Sequence, residues 1–304
     1  MAILATSGIT LPRNIAEGMF KKAATGSAIA ALSGAEPQQF GEVSYMTLTG
    51  RPKAELVGEG APKADTNATF GTKLATPHKF QVTMRFNEEV QWADEAYQLG
   101  VLRTLAEEGG LALARALDLG GFHGINPRTG LAAASIVVGD RIATTTNSVE
   151  ITTATLTTPD TVIEQAAGLV IADGYLPTGI AFDPTYSWTV ATARYADGRK
   201  KYPELGFGAN ISSFEGLPAF SSSTVSGLPE AANTNVKAIV GQWDAFRWGV
   251  QKDIPVEFIK YGDPDGLGDL KRQNQIALRA EIVYGWAVMD LDAFATVKDA
   301  VANV

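Results

Sequence analysis

Two histidines and a few of the 33 carboxylates are the side chains considered for acid–base or metal chemistry in this 304-residue chain. His78 and His123 lie far apart in the sequence, and neither has a second histidine three or four residues away, so a zinc site of several histidines is not predicted. A hydrolase would need Asp183 or Asp263 to meet His123 in one pocket, and no motif marks these residues. The chain has no cysteine, which excludes a thiol nucleophile. We therefore predict no enzyme activity, no cofactor and no metal site.

Two charged segments have both a functional and a plain interpretation. Residues 263–269, Asp-Pro-Asp-Gly-Leu-Gly-Asp, hold carboxylates that could bind Ca²⁺, although their spacing is not that of a helix-loop-helix calcium loop and such residues form turns by themselves. The run Arg199, Lys200 and Lys201 follows a predicted helix and could contact phosphate. The helix dipole also favours basic residues at a helix C-terminus. The plain interpretation, a solvated turn, is favoured for both segments.

The overall charge argues against nucleic-acid recognition. The formal net charge is -8, and the field of an acidic protein repels phosphate backbones. The sequence contains no phosphate-binding glycine loop and no nucleophile-elbow motif. It begins without a basic stretch and long apolar run, and Ala28 to Leu32 is too short to cross a bilayer. We expect a soluble protein, made in a reducing compartment, that binds no membrane and no specific nucleic-acid sequence.

The first two parts of the chain, an N-terminal arm and a two-stranded ribbon, are not expected to fold alone. Residues 1–42 are rich in Ala, Gly and Ser, and the spacing of Ile15, Met19 and Ala23 predicts one short helix in an arm that lies on other surfaces. Residues 43–49 and 80–86 alternate as strands and are interpreted as the legs of one hairpin. A two-stranded ribbon of this length is marginal alone in water. Its stabilising surface is therefore expected on another subunit.

A long helix and a mixed α/β region follow the ribbon. Asn87, Glu88 and Glu89 predict a helix start, and Gly120-Gly121 predict its end. Four tryptophans, Trp188, Trp243, Trp248 and Trp286, are assigned to the core. Further predicted elements are helices from Thr158 to Asp173, Asp183 to Tyr195 and Leu291 to Val301, and strands at 179–182, 217–220, 236–241, 246–250, 256–261 and 275–290.

In this order the elements resemble the major capsid proteins of tailed double-stranded DNA bacteriophages, the Hong Kong 97-like fold. Three stretches carry the resemblance. The first is Leu56 to Lys63 followed by Thr76-Pro-His-Lys79, which is similar to the extended loop of the family. The others are Gly216 to Phe220 followed by Gly241 to Asp244, similar to its axial domain, and Asn274 to Glu281 followed by Trp286 to Phe294, similar to its peripheral domain.

The resemblance implies an α+β fold with five parts along the chain. These are an N-terminal arm at 1–42, an extended β-hairpin loop at 43–86, a peripheral domain with the spine helix at 87–124, an axial α/β domain at 125–262, and a peripheral return strand with a C-terminal helix at 263–304.

The resemblance also implies a function. Subunits would self-assemble as hexamers and pentamers of an icosahedral shell around the phage DNA, formed in the host cytoplasm and found in the virion. A separate scaffolding protein, a portal and decoration proteins are the implied partners. An encapsulin-like nanocompartment shares the fold and is the main alternative, and a hydrolase is a remote one.

The same resemblance implies where subunits touch. The extended loop would contact neighbours, and residues 199–201 would lie near capsomer centres. Some family members cross-link a loop lysine to an asparagine of another subunit, and three lysines stand in a comparable position here. The implied contact residues of the loop are Arg51, Lys53, Glu59, Lys63 and Lys73, and those of the capsomer centre are Arg199, Lys200 and Lys201.

Overall fold

A computed structural model describes residues 26–50, 54–59, 63, 69–92, 95–152, 158–207 and 211–300. The helices are α1 (Ala28–Leu32), α2 (Glu95–His123), α3 (Pro159–Ala172) and α4 (Pro184–Ala191). The strands are β1 (Val43–Gly50), β2 (Thr69–Asn87), β3 (Ile125–Asn126), β4 (Leu131–Ala132), β5 (Ser148–Ile151), β6 (Gly179–Phe182), β7 (Ser213–Phe214), β8 (Leu217–Ser221), β9 (Val236–Gly241), β10 (Phe246–Ile259), β11 (Gln275–Val288) and β12 (Phe294–Asp299).

The first sheet is antiparallel and has the order β1-β2-β11-β10. The predicted ribbon exists, since β1 pairs with the beginning of β2, from Val43 opposite Ala75 to Gly50 opposite Thr69. The predicted second leg was placed wrongly, because residues 80–86 pair with β11 and not with β1. The 19-residue strand β2 therefore pairs with β1 along its first part, to form the ribbon, and with β11 along its second part.

The long helix is confirmed, with different ends. A short 3-10 turn at Glu88–Trp92 comes first, and α2 then runs for 29 residues against β2 and β11. The predicted stop at Gly120-Gly121 is wrong, because the helix continues to His123. The two glycines instead permit close packing: a Cβ at Gly120 would lie 2.9 Å from the Trp286 ring, and one at Gly121 would lie 2.6 Å from Ile29.

The second sheet has the order β5-β12-β9-β6-β8-β7 and packs against α3 and α4. Pro159 and Pro184 occupy first-turn positions, where their missing N–H groups have no helical partner to lose. Asp183 caps α4 by accepting a hydrogen bond from the Thr185 amide at 2.9 Å. Helix α4 ends at Ala191, four residues before the predicted end. All four residues of β6 are buried, as its unbroken apolar run predicts.

The predicted C-terminal helix is wrong. Residues Leu291–Ala293 form a 3-10 turn, and Phe294–Asp299 form β12, which lies between β5 and β9. Phe294 and Val297 are fully buried there, and a fully buried strand and a buried helix segment have the same short apolar run. The segment expected to close the peripheral domain therefore completes the sheet of the expected axial domain.

The arm is in part a component of its own subunit. The helix predicted around residues 15–23 lies outside the described residues, but α1 is described, and Ala28 and Ile29 are fully buried. The side chain of Ile29 belongs to the core formed by α2, β10 and β11. The arm was predicted to lie on other surfaces, and for the segment Ala28–Leu32 that surface is the core of its own subunit.

The largest buried side chains are aromatic. Trp243, Trp248 and Trp286 are fully buried, as predicted. The prediction is wrong for Trp188, which is 55% exposed on α4. Helices within the described ranges include none that is both long and apolar enough to cross a membrane.

Candidate functional site

One face of the ribbon is apolar and open to solvent. Met46, Phe70 and Leu74 are 74%, 65% and 48% exposed. Met46 lies opposite Thr72, and Leu74 lies opposite Ser44. Since side chains opposite one another in an antiparallel pair share a face and alternate residues return to it, these three side chains point to the same side. The ribbon therefore presents a continuous apolar strip.

The other face of the ribbon is tied to its own subunit. The Tyr45 hydroxyl donates to the Glu36 carboxylate at 3.1 Å and accepts from the Gln38 side-chain amide at 2.9 Å. The Arg247 guanidinium lies over the Tyr45 ring, 5.2 Å from its centroid. Burial, followed by the hydrogen bond to Glu36, raises the pKa of Tyr45. These contacts hold the base of the ribbon and leave the apolar strip uncovered.

The predicted contact residues of the loop have different surroundings. Arg51 and Lys53 lie outside the described residues. Glu59 and Lys63 are exposed near the tip. Lys73 is half-buried on the face opposite the apolar strip, level with Tyr45. The structure thus separates Lys73 from the apolar strip.

The acidic turn at residues 263–269 is organised by Arg85, which sequence reasoning missed. The Arg85 guanidinium donates to Asp265 at 2.8 Å, to Asp263 at 3.0 Å and to the Gly268 carbonyl at 2.9 Å. A guanidinium thus occupies the position that a calcium ion would need. The part of the chain that the structure describes contains no group of three or more His, Asp or Glu side chains that could hold a metal ion.

Replacing Arg85 with glutamine should alter how stability depends on pH. Hydrogen bonds from Arg85 hold the pKa of Asp265 below its ordinary value. Such a carboxylate adds stability above its unfolded pKa of about 3.9, and this is lost as pH falls through the lower folded value. We expect R85Q to lower the melting temperature at pH 7 by a few degrees and to flatten its fall between pH 5 and 3. Arg272→Gln, an exposed substitution with the same charge change, is the control. Parallel pH curves for R85Q and the unmodified chain would contradict this role.

The basic run is not the end of a helix. Because α4 ends at Ala191, the dipole interpretation of Arg199, Lys200 and Lys201 is wrong. Lys201 donates to the Asp160 carboxylate at 2.8 Å and is largely buried. Arg199 pairs with Asp197, and Lys200 donates to the Gly206 carbonyl at 2.8 Å. Arg199 and Lys200 remain at the surface, whereas Lys201 belongs to the fold.

The histidine and aspartates of the hydrolase hypothesis have structural partners. The half-buried His123 has its Nε2 2.9 Å from the Val225 carbonyl, a pair that requires the imidazole to donate. Burial lowers the pKa of His123 to about 4. Asp183 accepts from the Ser226 hydroxyl at 2.6 Å, and Asp263 lies in the Arg85 turn. Each of these groups has a hydrogen-bond partner within the fold.

Comparison with known families identifies the architecture. The model of the phage capsid family matches residues 7–299.

The chain belongs to the phage capsid family.

This capsid subunit is therefore a structural protein of an oligomeric shell, located in the virion. Solved structures agree with the family. A chain of Mycobacterium phage Ogopogo is 53% identical, with a TM-score of 0.82 over 90% of this chain and 92% of that chain. A chain of Gordonia phage Cozz is 34% identical, with a TM-score of 0.78 over 90% and 87% of the two chains.

More distant structures share the fold of the capsid subunit. The capsid of a native GTA particle is 13% identical, with a TM-score of 0.61 over 99% of this chain and 95% of that chain. No curated protein sequence matched. The resemblance predicted from residues 56–63, 216–220 and 274–281 is confirmed at the level of family and α+β fold.

Proposed function

We propose that this capsid subunit assembles as hexamers and pentamers of an icosahedral shell that encloses the double-stranded DNA of a phage. The ribbon would lie over a neighbouring subunit, with its apolar strip of Met46, Phe70 and Leu74 as the main contact. The exposure of that strip is the observation that carries the proposal. Contiguous exposed apolar side chains on a protein surface mark an interaction site.

The backbone of the ribbon supports the same assignment. Within the described chain β1 pairs with β2 alone, so it is the edge of the first sheet. An edge strand carries unpaired N–H and C=O groups that can bond to another chain. A neighbouring subunit that covers the ribbon can therefore satisfy backbone groups and bury apolar side chains together, and a small ligand cannot do both along a ribbon of this length.

The partners follow from the same proposal. A separate scaffolding protein would guide assembly in the host cytoplasm, a portal would occupy one vertex, and decoration proteins would bind the outer surface. The net charge of -8 is expected to keep the shell lining from binding phosphate, so that DNA enters and leaves freely. Arg199 and Lys200, at the surface, would lie near capsomer centres.

Electron microscopy of the purified protein tests this proposal, together with the composition of the particles. We expect closed shells with hexamers and pentamers and, in particles from infected cells, double-stranded DNA. Shells that contain a protein cargo instead would indicate a nanocompartment. Failure to form shells across the concentrations at which the subunit is soluble, with or without a scaffolding protein, would contradict the proposal.

Boiling the shells in denaturant distinguishes cross-linked subunits from subunits held by packing, since only the latter give a single monomer band.

A further inference from the structure

Asp118 is a fully buried carboxylate in the interior of the subunit. It lies on α2 between Leu117 and Leu119, and all three side chains are fully buried. An ionised carboxylate removed from water is costly unless hydrogen bonds compensate for its lost hydration. Burial raises the pKa of Asp118, and the hydrogen bonds that it accepts oppose that rise. The identity of its donors therefore decides what this residue does.

Asp118 accepts hydrogen bonds from two separate parts of the chain. From the arm come the Ser27 hydroxyl, the Ala28 amide at 2.9 Å and the Ile29 amide at 3.1 Å. From the loop that follows β8 comes the Thr224 hydroxyl at 2.8 Å. Ser27 and Thr224 lie 91 and 106 positions from Asp118 along the chain. One carboxylate on α2 thus joins the arm to the region of the second sheet.

The 3-10 turn Ser223–Ser226 has two further polar contacts. The His123 imidazole donates to the Val225 carbonyl at 2.9 Å, and the Ser226 hydroxyl donates to Asp183, the cap of α4, at 2.6 Å. The turn is therefore held between the end of α2 and the start of α4. It is the element through which Asp118 reaches the second sheet.

We infer that Asp118 is a positioning residue that couples the docking of the arm at Ser27–Ile29 to the seating of the turn Ser223–Ser226. Docking of the arm buries the carboxylate, and the Thr224 hydroxyl offsets part of the cost of that burial. When the arm opens, water can replace the hydroxyl. Loss of the Thr224 hydroxyl therefore destabilises the state with the arm docked much more than the state with the arm open.

Replacing Thr224 with valine tests the coupling in unassembled subunits of the full chain. Hydrogen exchange should become at least threefold faster in a peptide covering Gly26 to Ser33, because local opening of the arm becomes more frequent. Thr224→Ser, which keeps the hydroxyl, should restore slow exchange. Thr145→Val is the matched control, since the Thr145 hydroxyl is also buried but donates to the Phe294 carbonyl at 2.9 Å, in another part of the core.

The reciprocal variant completes the test. Ser27→Ala should make exchange faster at residues 222–226, although that segment is remote in sequence. The inference would be overturned if T224V left hydrogen exchange in the arm unchanged, or if T145V made it faster by the same amount. It would also be overturned if the effect of S27A were confined to residues 26–33. Asp118→Asn should open both segments, because its amide group faces N–H donors. If D118N does not fold, the other variants still decide the matter.

Discussion

Replacing Phe70 and Leu74 with serine should prevent shell formation while leaving the subunit folded. Both side chains lie on the exposed apolar strip of the ribbon and contribute little to the core. Burying them against a neighbour should stabilise the contact by roughly 3 kcal/mol per subunit in total. Loss of that amount raises the concentration needed for assembly about a hundredfold. Analytical ultracentrifugation of the double variant across concentrations measures this shift directly.

Thr72→Ser is the matched control for the ribbon variant. Thr72 is exposed on the same face, opposite Met46, so the substitution disturbs the strand without removing a large apolar side chain. We expect T72S to assemble like the unmodified protein. For unassembled subunits of both variants, the free energy of unfolding should stay within about 0.5 kcal/mol of the unmodified value. Shells that form at the usual concentration from F70S/L74S would show that the strip is not an assembly surface.

Replacing Trp286 with alanine should remove a large share of the stability of the subunit. Trp286 is fully buried on β11, where its ring stacks on Phe80, lies tilted against the His78 ring and packs over Gly120. Its indole N–H donates to the Asp140 carbonyl at 3.2 Å. Truncating a buried tryptophan costs about 3–5 kcal/mol, a large share of the roughly 5–15 kcal/mol that stabilises a folded domain. Urea unfolding of unassembled subunits should show the loss as a lower midpoint.

Trp188 provides the control for this substitution. It is 55% exposed on α4, so Trp188→Ala should lower the free energy of unfolding by about 1 kcal/mol or less. Equal losses for W188A and W286A would contradict the assignment of Trp286 to the central core. Because β2 continues from this core into the ribbon, W286A should also impair assembly at temperatures where the subunit is still folded.

Sequence reasoning succeeded where the signal was local. The span of α3, the fully buried strand β6 and the long helix α2 follow from proline positions, apolar runs and uninterrupted helical spacing. It failed where the same apolar pattern is compatible with both a helix and a strand. Phe294 to Val297 reads equally well as a buried helix or a buried strand, and only its place between β5 and β9 made it a strand.

Some features of the candidate site could likewise be predicted from the sequence, and others could not. That a two-stranded ribbon of this length is marginal alone is visible in the sequence and points to a neighbour. The roles of Arg85 and Asp118 are not visible there. A charged residue in a strand or in an apolar helix signals only that some partner exists, and its partners here lie about 90 to 180 positions away.

By itself the sequence determined the long helix α2, the buried strand β6, the absence of a thiol nucleophile and a ribbon that is marginal alone. Only the tertiary structure decided that residues 80–86 pair with β11, that the last described strand belongs to the second sheet, and that Asp118 connects the arm to the turn at 223–226. The physical reason is that helix periodicity and turn chemistry act between near neighbours. Strand partners and buried polar contacts are chosen by burial and hydrogen bonding between residues that meet only when the whole chain has folded.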